Sequence, residues 1–192
     1  MVIIKSMVTR AFRTLILLAI VVPLAGCSLN KASSQVAFMG DSITESWTFP
    51  RVNYGVHGDT TARMLARFPQ QVLAHPYKTV YILGGTNDVL LHIAPETTID
   101  NLDSMIQLAQ SHHIEPVLGE IPPILRDGGA YSASVRDLNA RILSLASLRH
   151  IAVVDYYDAI AGHPSFQSDG IHLKRRGYLA MEGRLLSTKN PF

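Results

Sequence analysis

The chain alternates short apolar segments, typical of buried strands, with longer segments of helical periodicity. Strands are predicted at residues 36–39, 51–56, 79–83, 115–121 and 151–154. Helices are predicted at 60–74, 95–112, 132–147 and 174–186, with Pro69 kinking or restarting the first. Such alternation favours an α/β domain with a parallel sheet and helices on both faces.

Four polar motifs interrupt this pattern, and three of them follow predicted strands. They are Gly40-Asp41-Ser42, Gly58-Asp59-Thr60, Gly85-Thr86-Asn87-Asp88 and Asp169-Gly170-Ile171-His172. Parallel sheets bind ligands at the carboxyl ends of their strands, where the strand order reverses. In a sheet of order 2-1-3-4-5 this point lies between strands one and three, which precede Ser42 and Asn87. The motifs therefore predict a site at this edge of the sheet.

Three of these side chains have the chemistry of a nucleophile with its base. Ser42 needs a neighbouring base to take its proton, and an imidazole such as His172 can accept that proton and return it. Asp169 lies three residues before His172, close enough to bond the ring and fix its tautomer. We therefore predict Ser42, His172 and Asp169 as a catalytic triad.

Ester hydrolysis also needs donors that stabilise the negatively charged oxygen of the intermediate. The backbone N–H groups of Ser42 and Gly58 and the side-chain amide of Asn87 are suitable, since each follows a turn that contains glycine. Taken singly, each motif has a structural interpretation: Gly-Asp-Ser and Asp-Gly are common turns, and Asn87 could cap the segment after strand three. Their order along the chain favours a site.

The aspartates of the first three motifs, Asp41, Asp59 and Asp88, are predicted to brace their turns rather than to react. No cofactor and no metal are predicted. A two-metal phosphoesterase would need a dense set of His and Asp ligands near the first two strands, which the sequence lacks. Chelator treatment separates that class from a serine esterase. A non-catalytic binding module is a further alternative, and a fluorophosphonate probe that labels Ser42 would exclude it.

The four motifs resemble the signature blocks of the GDSL, or SGNH, hydrolase family. Residues 52–60 resemble its second block and residues 84–88 its third, and the resemblance extends from about residue 36 to the C-terminus. It implies a three-layer α/β/α, flavodoxin-like fold with a five-stranded parallel sheet of order 2-1-3-4-5. It also implies metal-free hydrolysis of esters or thioesters, with Ser42, Asp169 and His172 as the triad and Ser42, Gly58 and Asn87 as the oxyanion hole.

Within this family the chain looks most like compact acetylhydrolase-type members, which implies a small ester substrate. A lysophospholipase, an acyl thioesterase and an envelope-polysaccharide deacetylase are the alternatives. Apolar residues that follow the motifs have two interpretations, as walls of an acyl pocket or as ordinary core packing. They are Trp47, Phe49, Pro50, Leu90, Leu91 and residues 121–125.

The first 26 residues resemble a bacterial lipoprotein signal peptide. Lys5, Arg10 and Arg13 precede an apolar run at 15–24, which is shorter than a membrane-spanning helix, and Leu24-Ala25-Gly26-Cys27 ends it. This resemblance implies cleavage before Cys27 and acylation of its sulfur, which would anchor the protein to a membrane. An ordinary secretory signal is the alternative. By the same resemblance, Ser28 after the cysteine points to the outer membrane of the bacterial envelope, facing the periplasm.

The predicted organisation is therefore a signal peptide at 1–26, an acylated Cys27 with a tether to residue 34, and a hydrolase domain at 35–192. Three of the 17 Lys and Arg residues lie in the signal peptide, which leaves 14 basic against 15 acidic residues. The remaining chain is thus close to neutral, at about −1. Its one basic run, Lys174-Arg175-Arg176, opens a predicted helix, so no nucleic-acid partner is expected.

Overall fold

The computed structural model of the protein describes residues 35–188. The predicted signal peptide, Cys27 and the tether lie outside the described residues, as do residues 189–192. Between residues 35 and 188, no helix combines the length and the apolar character that crossing a membrane requires.

The strands of this region form one parallel sheet. They are β1 (Val36–Gly40), β2 (Asn53–Gly55), β3 (Thr79–Leu83), β4 (Glu115–Gly119) and β5 (Ala152–Val154). Their order is β2-β1-β3-β4-β5, and every neighbouring pair is parallel. The predicted five-stranded sheet and its order are confirmed. The strand order reverses between β1 and β3, because β2 lies on the other side of β1.

Helices connect the strands and cover the sheet, giving the predicted three-layer α/β/α fold. In chain order they are α1 (Ser42–Glu45), α2 (Thr61–Phe68), α3 (Thr86–Leu90), α4 (Pro95–Ser111), α5 (Ser132–Arg149), α6 (Tyr156–Ile160) and α7 (Arg175–Ser187). A π-helical segment, Pro69–Leu73, follows α2 directly, and short 3₁₀ turns occupy Arg126–Gly129 and Pro164–Phe166. One group of contacts links α2, α4 and α5, and a second group links α6 and α7.

The sequence patterns predicted the long helices well and did not indicate the short ones. The predicted apolar stripe of α5, Val135, Leu138, Ile142 and Leu145, is buried. The helix predicted over 60–74 changes at Pro69, which has no N–H to bond the carbonyl four residues before it, so α2 ends there and the π-helical segment begins. The short helices α1, α3 and α6 were not predicted, since four or five residues are too few to show a helical period.

The strand ends also differ from the prediction. Strand β2 covers three residues rather than 51–56, because it pairs with β1 on one side and forms the edge of the sheet. Strand β4 ends at Gly119 rather than at residue 121. Ile121 beyond it bonds the side chain of Asn139 on α5 through both its N–H and its carbonyl.

An aromatic cluster packs α1 and its following turn against α6 and α7. Trp47 is 2% exposed and lies edge-on to Phe38 and Tyr156, with ring centroids 5.7 and 5.9 Å away. Its indole N–H donates to Glu182 Oε1 at 3.0 Å, which satisfies the polar end of a buried tryptophan. Trp47 therefore belongs to the core, and the interpretation of this residue as a pocket wall is wrong.

Helix α1 lies directly against the edge strand. A Cβ atom placed on Gly55 would come within 2.0 Å of the backbone nitrogen of Glu45. Backbone atoms cannot yield as a flexible side chain can, so only glycine allows α1 to approach β2 this closely. This contact determines how near α1 lies to the carboxyl ends of the first two strands.

We predict that Gly55→Ala destabilises the protein by about 1–3 kcal/mol, because α1 must shift to accommodate the added methyl group. The matched control is Gly183→Ala, at an exposed position of α7 where a Cβ meets nothing within 4 Å. That substitution should be neutral or stabilise by up to about 1 kcal/mol, because alanine is the better helix former. Urea denaturation of both variants measures the difference. Equal midpoints would contradict the tight contact.

Candidate active site

Ser42 lies at the carboxyl end of β1, where it begins α1. Asp41 caps this helix: its Oδ1 accepts the N–H of Ile43 at 2.9 Å. The serine is 6% exposed. Its backbone N–H has no acceptor among residues 35–188. The strand end and the short helix therefore hold a serine whose hydroxyl faces the edge of the sheet.

His172 and Asp169 come to this serine from a loop far along the chain. The Oγ of Ser42 lies 3.0 Å from Nε2 of His172, across 130 residues of sequence. On the other side of the ring, Nδ1 lies 2.7 Å from Oδ2 of Asp169. Because Nδ1 faces a carboxylate, it carries the ring proton, and Nε2 is left to accept the proton of the serine hydroxyl. The three predicted residues thus form one continuous hydrogen-bonded chain.

The surroundings of Asp169 favour the ionised form of its carboxyl group. Its Oδ1 accepts the N–H groups of Ile171 and His172 at 3.0 and 2.8 Å. Partial burial opposes ionisation, but the bonds from the His172 ring and from these two N–H groups hold the pKa of Asp169 well below its usual range. The guanidinium of Arg126 adds a cation 3.8 Å from Oδ2. A fixed anion therefore orients the imidazole.

The loop that carries His172 is held by contacts with the segment after β4. The amide of Gln167, 3% exposed, donates to the carbonyls of Pro123 and Ile171 at 2.7 and 3.2 Å. The N–H of Leu125 donates to the carbonyl of Gly170 at 2.7 Å. Sequence analysis missed Gln167, since no local pattern indicates that a loop glutamine is buried.

Gly58 lies in a tight turn after β2. The N–H of Asp59 bonds the carbonyl of Val56 at 3.1 Å, and Gly58 has a φ of +74°. This combination is a type II turn, which needs glycine at its third position. The N–H of Gly58 has no acceptor within the described residues. It remains available as a donor, and its place in an oxyanion hole stays a prediction.

Asn87 lies on α3, at the carboxyl end of β3. The N-cap of α3 is Gly85, so the interpretation of Asn87 as a helix cap is wrong. Its amide donates instead to the carbonyl of Asp59 at 2.9 Å, directly after Gly58. An amide carries two N–H groups. The bond to Asp59 fixes the orientation of the amide and leaves the second N–H free to act beside Gly58.

Arg67 on α2 connects the loop that carries Ser42, after β1, to the turn after β2. The sequence did not indicate this role. Its guanidinium donates to the carbonyls of Gly40 and Tyr54, both at 2.8 Å, and to Oδ2 of Asp59 at 2.7 Å. It also bonds the side chain of Gln71. Gly40 lies two residues before Ser42, and Asp59 follows Gly58. One mostly buried cation therefore sets the distance between these two loops.

Asp88 joins three helices beside the site. Its carboxylate accepts the N–H of Thr61 at 3.0 Å and the hydroxyls of Thr61 and Thr98 at 2.5 and 3.2 Å. It thereby connects α3 to the first turns of α2 and α4. Asp41, Asp59 and Asp88 all brace backbone or neighbouring side chains, in agreement with their predicted structural role.

Other candidate groups are not brought to the site. Among residues 35–188, no three or more His, Cys, Asp or Glu side chains are grouped so that they could hold a metal ion. The histidine pair His112 and His113 lies at the end of α4, where His112 bonds the carbonyl of Leu108. Of the proposed pocket walls after β4, Ile121 and Ile124 belong to the core, at 0% and 1% exposed.

Asp41 is an unusual carboxyl group, because it is fully buried next to the serine. Burial raises its pKa to about 7, while the N–H of Ile43 and the charge of His172 act in the opposite direction. Its Oδ2 and the hydroxyl of Thr86 are both buried and meet no other hydrogen-bond partner in the described part of the chain; the interaction between these two groups lowers the pKa of Asp41 and is the smallest of the effects on it. Near neutral pH the native state therefore holds a proton that an unfolded chain would release.

This shift makes stability depend on pH. The unfolded carboxyl titrates near pH 4 and the folded one near 7, so the native state binds more protons in between, and stability falls as the pH rises through this window. Glu120, whose pKa is also raised to about 7 by burial and by Asp155, adds to the same fall.

We predict that Asp41→Asn makes the fall in stability between pH 4 and 7 shallower without abolishing it, because Glu120 still contributes. Urea midpoints measured across this pH range provide the check. Asp100→Asn, at an exposed position of α4, is the matched control and should follow the wild-type profile. An unchanged profile for Asp41→Asn would show that Asp41 does not hold this proton.

Comparisons with known proteins agree with this geometry. The sequence pattern of the GDSL-like lipase/acylhydrolase family matches residues 25–180. An arylesterase of Vibrio mimicus is 25% identical over 181 residues, covering 82% of this chain and 89% of that protein. The thioesterase 1/protease 1/lysophospholipase L1 of Escherichia coli K12 is 26% identical over 153 residues, covering 79% of this chain and 71% of that protein.

A solved structure shows the same similarity in three dimensions. A GDSL-like lipase from Bacteroides thetaiotaomicron superposes with a TM-score of 0.75 at 30% sequence identity, covering 81% of this chain and 87% of that one. The family pattern spans most of the sequence and includes all four motifs that gather at the sheet edge. The chain belongs to the GDSL-like lipase/acylhydrolase family and is a carboxylic ester hydrolase.

Proposed function

We propose that this protein is a metal-independent serine esterase that hydrolyses small or short-chain carboxylic esters through an acyl-enzyme on Ser42. The observation that carries the proposal is the hydrogen-bonded chain from Ser42 through His172 to Asp169. The N–H of Gly58, which has no acceptor among residues 35–188, and the amide of Asn87, which bonds the carbonyl of Asp59, support the proposal as candidate oxyanion donors. Nucleophile, base, orienting anion and oxyanion donors are thus all present at one sheet edge.

The proposed reaction has two halves. As the Oγ of Ser42 attacks the ester carbon, its proton moves to Nε2 of His172, and the carbonyl electron pair shifts to the oxygen. The N–H groups of Ser42 and Gly58 and the amide of Asn87 stabilise that oxyanion. Collapse breaks the carbon–alkoxy bond, and Nε2 returns its proton to the departing alcohol. Water then repeats these steps on the acyl-enzyme and releases the acid.

A preference for short acyl groups is supported by where the apolar residues near the site lie. Trp47, Ile121 and Ile124, three of the residues with a pocket interpretation, are at most 2% exposed and serve the core. Of the others, the three prolines are buried, Phe49 and Leu90 are half-buried against the core, and Leu91 and Leu125 are 63% and 37% exposed. An acyl chain would therefore meet an open surface rather than a deep tunnel.

The same exposed leucines favour a second candidate, a lysophospholipase or acyl thioesterase whose longer acyl chain lies across this surface. The similarity to the Escherichia coli protein named for both activities is in line with it. The two candidates differ in how the rate depends on acyl length. The kcat/KM on nitrophenyl esters falls with chain length for the first, and rises for the second, with acyl-CoA or lysophospholipid also consumed.

We predict that Ser42→Ala and His172→Ala stay folded and lose at least about 10³-fold in kcat on nitrophenyl acetate. Asp169→Asn should be severely impaired too, because the ring loses the anion that sets its tautomer. Ser46→Ala, an exposed serine at the end of α1, is the matched control and should keep its activity. Labelling by a fluorophosphonate should disappear in Ser42→Ala and persist in Ser46→Ala. Near-normal turnover by folded Ser42→Ala would exclude the mechanism.

We further propose that the protein is a lipoprotein of the bacterial envelope, anchored through acylated Cys27. Strand β1 begins at Val36, so at most nine peptide units separate the domain from the acylated residue. A chain of that length spans roughly 30 Å when extended. The esterase would therefore work close to a membrane surface, and Ser28 favours the outer membrane, facing the periplasm.

We predict that the wild-type protein incorporates a fatty-acid analogue in bacteria and fractionates with membranes, whereas Cys27→Ser takes up no label. Several acyl chains on one residue hold a protein firmly at a bilayer, while one chain holds it only marginally. A version with residues 1–27 replaced by an ordinary secretory signal is the control, and it should be soluble with unchanged kcat. Unlabelled, freely soluble wild-type protein would contradict the anchor.

A further inference from the structure

His57 stands next to the catalytic groups although the fold does not require it there. It occupies the second position of the type II turn between Val56 and Asp59, and such a turn needs glycine at its third position only. Its side chain is exposed, so it contributes little to the core. A histidine that the turn and the core do not need suggests a role in contacts with a ligand.

The imidazole of His57 lies beside that of His172. The two rings are nearly parallel, at 14°, and their centroids are 5.9 Å apart. Within residues 35–188 the His57 ring makes no hydrogen bond and no ion pair, and the ring of His172 is its one aromatic neighbour. One ring nitrogen that can donate and one that can accept are therefore open to solvent next to the general base.

The reaction geometry indicates which part of the substrate lies there. The departing alkoxy oxygen takes its proton from Nε2 of His172, so it must come within hydrogen-bond distance of that ring. The carbonyl oxygen lies at the N–H of Gly58, the residue bonded to His57. A side chain that extends from this turn to the face of His172 borders the alcohol part of the ester.

The charged groups around His57 indicate whether its ligand is neutral or anionic. Arg126, the cation beside Asp169 and His172, is directed at Asp169, with Nη2 3.8 Å from the carboxylate. Its charge is thus shared with an anion rather than presented to the alcohol side. The two ring nitrogens of an imidazole, one a donor and one an acceptor, match a hydroxyl group, which offers the same pair.

We propose that His57 is a specificity residue that hydrogen-bonds a hydroxyl next to the ester oxygen of the leaving alcohol. The preferred substrates are then esters of polyhydroxylated alcohols, such as partially acylated glycerol or sugars, rather than esters of simple alkanols. This inference rests on the proposed serine-esterase function. It assigns the alcohol side of the site and leaves the acyl preference unchanged.

The test compares two acetates that differ only in hydroxyl groups, glycerol 1-acetate and propyl acetate, by titration of the acetic acid released. Wild type should favour glycerol 1-acetate. His57→Ala should lose about tenfold in kcat/KM on that ester, the value of one hydrogen bond, and less than about threefold on propyl acetate. His57→Gln, which keeps a donor and an acceptor, should retain most of the preference, and His57→Phe, which keeps only a ring, should lose it.

His75→Ala is the matched control, since His75 is also exposed beside an aromatic ring, that of Tyr77 at 5.5 Å, but precedes β3 at the opposite end of the strands. It should leave both rates unchanged. Equal losses on the two acetates in His57→Ala, or no preference in wild type, would overturn the inference while the esterase stands. If Ser42→Ala kept wild-type rates on both esters, the proposed function itself would fail.

Discussion

The site depends most on the hydrogen bonds and the ion pair that the guanidinium of Arg67 forms. The side chain is 17% exposed and bonds the carbonyls of Gly40 and Tyr54 together with the carboxylate of Asp59. These groups belong to the ends of β1 and β2 and to the turn after β2, which carry the proposed nucleophile and one proposed oxyanion donor. Removing one partner of a mostly buried ion pair is costly, because the other charge is left without compensation. The relative position of the two loops is therefore strongly constrained.

The rest of the site is built outward from this pair of loops. Asn87 reaches the turn through the carbonyl of Asp59, and Asp88 beside it joins the helices that follow β2 and β3. The loop with His172 is attached separately, through Gln167 and the segment after β4. Asn87 and the loop with His172 are thus held by hydrogen bonds to backbone carbonyls of other segments. This arrangement favours catalysis, since donors that are already in place need no reorganisation when charge develops.

The sequence allowed the sheet, its strand order and the long helices to be predicted, because buried strands and amphipathic helices have periods that extend over several residues. It also indicated Ser42, His172 and Asp169, whose chemistry is recognisable from residue type and order. It did not indicate the short helix that carries Asn87, or whether Trp47 lines a pocket or fills the core. Those outcomes depend on neighbours distant in sequence: Trp47 bonds Glu182 and packs on Tyr156.

What the sequence by itself determined is the alternation of strands and helices and the places of the polar motifs along them, and it also supplied the prediction of the reactive residues and of a lipoprotein signal that ends at Cys27. What only the tertiary structure decided is which groups meet. The contact of Ser42 with His172 spans 130 residues, and Arg67 and Gln167 act through backbone carbonyls that any residue can supply. Such bonds cannot be recognised from the pattern of side chains in the sequence. The parallel arrangement of the His57 and His172 rings could not be predicted either, because an exposed residue in a turn belongs to no periodic pattern and to no motif.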